Sequence, residues 1–447
     1  MHAMDDYFRG KKITIMGLGL LGRGVGDAEF LASAGAELII TDLKNEEELA
    51  PSLKYLKKFD NISYTFGKHD LKDFEHRDLI LKAAGVPLDS PYIAHARKQN
   101  IPIEMSAALC ARLSLRLGSG QGGAIVIGIT GTRGKSTTTH LIHHILKLAG
   151  KHVHLGGNVR GVSTLALLSH LQPGDFLVLE LDSWQLQGFG EQAMSPHIAV
   201  FTNFLSDHMN YYKGDEERYF EDKANIFKFQ ERGDYLVAGE EASHLIKQKY
   251  GGKLKGTLII PTSLPKQWKF KLVGEHNRVN AALAVEVAKM CTISEKTIRK
   301  ALESFKSVAG RLELVRTLCG VHFYNDTTAT TPDATLAALR ALAKRRKVIL
   351  IMGGADKSLD MTPLLRELPR ACKTILLLAG TGTEKIKNAI IGKKAEFDSL
   401  QSALAGARAT AKKGDIVLFS PAFASFGMFK NEFDRGDQFV EAVKRMK

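Results

Sequence analysis

The chain has 447 residues, 44% hydrophobic and 25% charged, too many for one ordinary core, so roughly three domains of about 150 residues each are expected. A net charge of +14 invites nucleic-acid binding, yet its basic residues are dispersed and the densest clusters, Lys344-Arg345-Arg346-Lys347 and Lys393-Lys394, lack interleaved aromatics; no nucleic-acid partner is expected, and the charge reads as solvated faces that help anionic substrates arrive. Cys110, Cys291, Cys319 and Cys372 form no C-x-x-C pair, the start Met1-His-Ala-Met-Asp-Asp6 has no apolar core, and no apolar run spans a bilayer, which predicts a cytoplasmic protein without disulfides, zinc knuckles or membrane insertion.

In the first segment, residues 1–118, a strand from Lys12 to Met16 runs into Gly17-Leu-Gly19-Leu-Leu-Gly22-Arg-Gly24, followed by a helix to about Ser33 and a strand from Glu37 to Thr41 ending at Asp42. This is the pattern of a Rossmann-like βαβ unit, in which glycines allow close phosphate approach and an acidic residue about 20 positions on meets a ribose. NAD, FAD and a UDP-sugar all present a diphosphate, so the pattern leaves the ligand open. Leu79-Ile-Leu-Lys-Ala-Ala-Gly85 reads as strand and turn, Ile101 to Ile103 as a short strand, and Gly118-Ser-Gly-Gln-Gly-Gly123 as a linker.

The second segment, residues 119–308, opens with an apolar strand from Ala124 to Ile129 that enters Gly128-Ile-Thr-Gly-Thr-Arg-Gly-Lys-Ser-Thr137 and then a helix to Leu148. This is a variant phosphate loop: Ile129 stands where G-x-x-x-x-G-K-[ST] has its first glycine. Gly131 and Gly134 let backbone amides close on an anion, Lys135 neutralises phosphate charge, and the Ser136 or Thr137 hydroxyl can reach phosphate-bound Mg²⁺. Strands from Phe176 to Leu181 and His197 to Phe201 follow, with an Ala-rich helix from Asn277 to Met290. Glu180 and His208 stand at or after strand ends, where ligands of open α/β sheets gather; a structural salt bridge and a surface-loop histidine fit the two positions as well. His140, His143 and His144 mimic a metal spacing, but no carboxylate or cysteine completes the set, and the helix has an ordinary buried stripe.

The third segment, residues 309–447, has a strand from Val321 to Asn325, a helix start at Thr331-Pro332, and strands Lys347 to Met352, Thr374 to Leu378 and Ile416 to Phe419 alternating with helices. The fold class is therefore α/β: three successive α/β domains, a Rossmann-like N-terminal domain, a central P-loop ATPase domain and a Rossmann-like C-terminal domain.

Thr130-Gly-Thr-Arg-Gly-Lys-Ser136, Gly157-Asn158, Leu179-Glu180-Leu, Asp207-His208-Met, Lys223, His276-Asn277-Arg-Val-Asn280, Gly310-Arg311 and Asn325-Asp326 stand in the order seen in the Mur ligases, which the chain resembles over nearly its whole length. The Gly-Leu-Gly-Leu opening, Ser183-Trp-Gln-Leu and the ending Ser420-Pro-Ala-Phe-Ala-Ser425-Phe-Gly-Met-Phe-Lys-Asn431 resemble the glutamate-adding branch. The resemblance implies a ligase that uses ATP to phosphorylate the carboxylate of UDP-N-acetylmuramoyl-L-alanine and then joins glutamate to it. It assigns ATP to Gly131, Thr132, Arg133, Gly134, Lys135, Ser136, Thr137, Asn277, Asn280, Arg311 and Asp326. The uridine-linked substrate falls to Gly19, Leu20, Leu21, Asp42, Gly85, Asn158 and Ser183, and glutamate to Thr330, Lys357 and Ser425. Two Mg²⁺ ions are implied, one on Ser136 and Glu180, the other on His208 and a carbamylated Lys223, with Lys135, Glu180, His208 and Lys223 catalytic. Domain closure that keeps water from the acyl phosphate and a monomeric state are also expected.

Two positions depart from the family pattern: Asn325-Asp-Thr-Thr-Ala-Thr-Thr331 has Thr328 where a lysine is usual, and Phe429-Lys-Asn-Glu-Phe433 has Glu432 in an aromatic position. They leave the stereochemistry of the glutamate, D or L, undecided. Competing readings are another Mur ligase, a folylpolyglutamate synthetase, a nicotinamide oxidoreductase resting on Gly17 to Gly24, and a nucleic-acid-stimulated ATPase; the oxidoreductase would leave the phosphate loop and Glu180 without a role.

Overall fold

Each predicted segment contributes one sheet to the computed structural model, which describes residues 3–117, 122–209, 211–342 and 347–446. Gly118 to Gln121 of the expected linker, Asn210 of the histidine motif and Lys344 to Arg346 of the basic cluster lie outside the described residues. The first sheet contains β1 (Lys12–Met16), β2 (Glu37–Asp42), β3 (Ile62–Phe66), β4 (Leu79–Lys82) and β5 (Ile103–Glu104), in the parallel order β3-β2-β1-β4-β5. The direction of winding reverses between β1 and β4, and that opens a crevice at the carboxyl end of β1.

The second sheet is built from β6 (Ile125–Thr130), β7 (Val153–Gly157), β8 (Phe176–Glu180), β9 (Ile198–Phe201), β10 (Tyr235–Ala238) and β11 (Thr257–Ile259). All its pairs are parallel, in the order β11-β10-β9-β6-β8-β7. Its middle strand β6 is thus flanked by β9 and β8, and all three deliver their carboxyl ends to one place. One buried apolar cluster, including Ile13, Leu38, Leu81, Val126, Leu177 and Ala199, runs through both of these sheets, and both belong to a single compact unit that reaches Thr262 and takes in Ala282–Ala301.

The other unit comprises Ser263–Ala281 and the chain from Leu302 onward. Its sheet holds β12 (Glu313–Leu318), β13 (Val321–Asn325), β14 (Val348–Gly353), β15 (Cys372–Leu378), β16 (Lys394–Phe397) and β17 (Ile416–Phe419), ordered β12-β13-β17-β14-β15-β16. Only β12 is antiparallel, paired to β13 through the tight turn Cys319-Gly320 with φ of 49° and 75°. β14 is buried along its whole length, as a parallel strand covered on both faces must be, and two apolar clusters lie around Leu350 and Ile351 on opposite sides of it.

The predicted α/β class and the three sheets are as observed. Strand limits move by a residue or two, as at β5, which begins at Ile103 rather than Ile101. No helix among the described residues is long and apolar enough to cross a membrane.

Candidate active site

The loop between β6 and the helix Lys135–Leu148 is shaped by its glycines and held by the exit of β9. Gly131 has φ 136° and a Cβ there would overlap Thr202 Oγ1, while Gly134 caps the helix at φ 85°; both demand glycine. Thr132 N donates to Asn203 O at 2.9 Å, Arg133 N to Asn203 Oδ1 at 2.8 Å, and Thr202 Oγ1 to Arg133 O at 2.5 Å. Thr132 Oγ1 meanwhile donates to Leu205 O at 3.0 Å. Helical bonding then begins with Thr138 N donating to Gly134 O, which leaves the amides of the opening turn to acceptors outside the helix. Lys135 curls back over this cradle, donating Nζ to Gly131 O at 2.9 Å and Thr132 O at 3.2 Å.

Lys223, 1% exposed on the helix Glu216–Ala224, also donates Nζ to Gly131 O, at 2.9 Å. Two amines sharing one carbonyl repel if both are charged. Burial, and after it the Lys135 charge, hold the Lys223 amine well below the usual lysine range. Glu180 closes β8 in register with Ile129. The residue is 4% exposed and its side chain makes no hydrogen bond or ion pair among the described residues, while its carboxylate oxygens are not among the fully buried unpartnered atoms, so a cation can still reach them. His208, at φ 58°, lies 4.9 Å from the Trp184 ring and 6.1 Å from Tyr219. Its neighbour Asp207 accepts from Arg133 Nη1 at 2.8 Å. Ser136 and Thr137 form the first turn of the phosphate-loop helix, Thr137 buried. The structure thus brings Gly131 to Thr137 and Lys223 together and sets Glu180 at the neighbouring strand end.

The residues expected to meet the uridine-linked substrate lie on both sheets of the first unit. Gly19, Leu20 and Leu21 form the exposed rim after β1, with Leu20 50% and Leu21 39% exposed. Asp42 is turned into that rim: its Oδ2 accepts Leu18 N at 2.9 Å and Gly19 N at 3.1 Å, its Oδ1 Lys44 N at 2.9 Å. Gly85 is exposed beyond β4. Asn158 follows β7, its backbone N donating to Glu180 O at 2.7 Å and its Oδ1 accepting from Arg23. Ser183 is buried at the head of the helix Ser183–Glu191.

In the second unit, Asp326 follows β13 and accepts from Ser420 Oγ at 2.8 Å and Leu312 N at 3.1 Å, next to Arg311; burial lifts its carboxyl to about 7. Asn277 and Asn280 are buried on the helix Glu275–Met290. Ser425 is buried, whereas Thr330 and Lys357 are half-buried. Thr328, in the place of the usual lysine, donates Oγ1 to Gly310 O at 2.7 Å. One residue absent from the sequence reading ties these loops: Arg435, with no exposed surface, donates to Thr327 O at 2.7 Å, Thr327 Oγ1 at 3.2 Å and Phe423 O at 3.2 Å. Thr202 and Asn203 carry no motif of their own and left no signal in the sequence, whereas Trp184 and Asp207 stood within the runs Ser183-Trp-Gln-Leu and Asp207-His208-Met.

A glycine-lysine phosphate loop on the middle one of three α/β sheets defines a nucleotide-handling protein of the P-loop class. Within that class, the chain belongs to the Mur ligase family. The MurD-like N-terminal domain of Mur ligases matches residues 11–104, the Mur ligase middle domain residues 129–258, and the Mur ligase glutamate ligase domain residues 310–423. The UDP-N-acetylmuramoylalanine–D-glutamate ligase of Borreliella afzelii (strain PKo) is 36% identical over 98% of both chains. The ligase of the same name from Roseiflexus sp. (strain RS-1) is 34% identical over 97% of this chain and 98% of its own. Among solved structures, the UDP-N-acetylmuramate-alanine ligase MurC of Thermotoga maritima superposes with a TM-score of 0.63 at 19% identity, covering 98% of this chain and all of that one. The MurF ligase of the same organism, in complex with ADP, gives 0.61 at 17% identity over 99% of this chain and 97% of its own. At such identities these two structures support the fold alone.

The family is ATP-dependent and implies magnesium, and the residues present suit it. Glu180 is a buried carboxylate lacking a cation, and among the described residues no three His, Cys, Asp or Glu side chains form a metal cage. That sparse donor set is the one expected for Mg²⁺, which takes one or two carboxylates and completes its shell with substrate phosphates and water.

Proposed function

We propose that the chain is the ligase that adds D-glutamate to UDP-N-acetylmuramoyl-L-alanine at the expense of ATP. The observation that carries this reading is the convergence of Lys135 and Lys223 on Gly131 O, at 2.9 Å each, beside the unpaired buried Glu180. Lys135 and the loop amides would hold the β- and γ-phosphates. Ser136 and Glu180 would hold one magnesium, and His208 with a carbamylated Lys223 a second; when bound, the ions would offset phosphate charge and so ease the approach of a carboxylate. An amine must be neutral to capture CO₂, and the depressed Lys223 supports that modification.

In the reaction, a carboxylate oxygen of the alanyl group bonds to the γ-phosphorus as the bond to the bridging oxygen breaks and ADP leaves. The glutamate amine then attacks the acyl carbon, phosphate departs, and the amine surrenders a proton. Asn277, Asn280, Arg311 and Asp326 match ATP-holding positions of the family, while Thr330, Lys357 and Ser425 match its glutamate positions. The name shared by the relatives favours the D enantiomer. Thr328 is engaged with Gly310 and adds no charge, so Lys357 is left as the cation of that group.

Mass spectrometry of the reaction mixture tests the proposal: a new amide should require ATP, the acceptor and glutamate together, and should vanish with Lys135→Ala. ATP hydrolysis without any amide product would overturn it. Lys223→Ala should lose most turnover and recover part of it in short carboxylates such as formate or acetate, which can fill the vacated position; no recovery across a wide concentration range would refute the carbamate.

A further inference from the structure

The helix Arg23–Ser33 lays one face against the loop after β7. A Cβ on Gly26 would come within 2.6 Å of Ser163 Cβ, so the close approach depends on that glycine. Asp27, buried in that face, accepts from Ser163 Oγ at 2.6 Å and from Ser106 Oγ. One turn earlier, half-buried Arg23 donates Nη1 to Asn158 Oδ1. It has no other side-chain hydrogen bond and no carboxylate at ion-pair distance among the described residues. The guanidinium is thereby positioned between the first glycine turn and Asn158 with most of its donors uncommitted.

A Rossmann turn ordinarily offers its own amides to a diphosphate. Here Leu18 N and Gly19 N are already bound to the Asp42 carboxylate, at 2.9 and 3.1 Å, which also places a negative charge beside the turn. A doubly charged ligand in this crevice therefore needs a cation, and Arg23 is the only lysine or arginine from Gly17 to Gly24. We propose that Arg23 is a specificity-determining residue that grips the diphosphate of the uridine-linked acceptor through its guanidinium fork. The inference rests on the crevice being the acceptor site.

Calorimetric titration of the full chain with UDP and with uridine tests it. Arg23→Gln should weaken UDP at least about tenfold, leave uridine within about twofold, and raise KM for the acceptor with little change in kcat or in KM for ATP, while Arg23→Lys recovers part of the loss. Unchanged UDP binding in Arg23→Gln, or equal losses for UDP and uridine, would overturn the role. If the wild-type chain binds neither UDP nor the acceptor, the assignment of the crevice falls, and this role with it.

Discussion

Glu180 and Asp326 show how a single buried carboxylate is readable once its partners are known. The Glu180 side chain makes no hydrogen bond or ion pair among the described residues, so neutralising it should remove a proposed metal ligand without breaking another side-chain contact. Glu180→Gln is expected to cut turnover at least about a hundredfold; retained turnover would contradict a metal-holding role. Asp326 is the opposite case, held by Ser420 and Leu312 yet lifted by burial to about 7. Its carboxyl releases its proton at higher pH folded than unfolded, so the folded state loses stability as pH climbs from about 4 through 7. Asp326→Asn removes that dependence: thermal scans should find the variant level with the wild type near about pH 4 and more stable by several degrees near about pH 8. A gap that closes as pH rises would refute the assignment.

At the scale of elements, the phosphate loop is a strand, a glycine turn and a helix whose shape depends on a second strand exit. Gly131→Ala would drive its Cβ into Thr202 and force a backbone that alanine resists, so unfolding titrations should show a loss of more than about 1 kcal/mol, with ATP binding gone. Wild-type stability in that variant would mean the loop is not pinned as described. The loop itself was legible because its chemistry is local: glycines, Lys135, Ser136 and an apolar strand lie in one run. Its anchors were not, since Asn203 meets Arg133 across 70 positions and neither residue advertises the contact. β12 escaped for a different reason. Its residues Glu-Leu-Val-Arg-Thr-Leu are nowhere fully buried, so an edge strand without a buried face leaves no strong alternation to read. The glycine turn after β1 was legible as a turn, but the capture of the Leu18 and Gly19 amides by Asp42 was a matter of tertiary geometry.

For the whole molecule, sequence order and family resemblance already conveyed three α/β segments, and the three sheets follow them. The net charge of +14 has its counterpart in substrates that are all anionic, so long-range attraction is expected to assist their capture. KM for the acceptor is expected to rise several-fold between about 50 and 500 mM salt while kcat stays within about twofold; a salt-independent KM would show that the charge plays no part in capture. In the proposed reaction the loop around Lys135 hands a phosphoryl group to a carboxylate, and the glutamate amine then displaces phosphate from the resulting acyl phosphate. Phosphate release measured with ATP, magnesium and UDP-N-acetylmuramoyl-L-alanine, with each enantiomer of glutamate in turn, tests it most directly. Release should depend on the acceptor and be driven by D-glutamate, with one phosphate for each amide formed; release indifferent to acceptor and amino acid, or none with either enantiomer, would contradict this chemistry.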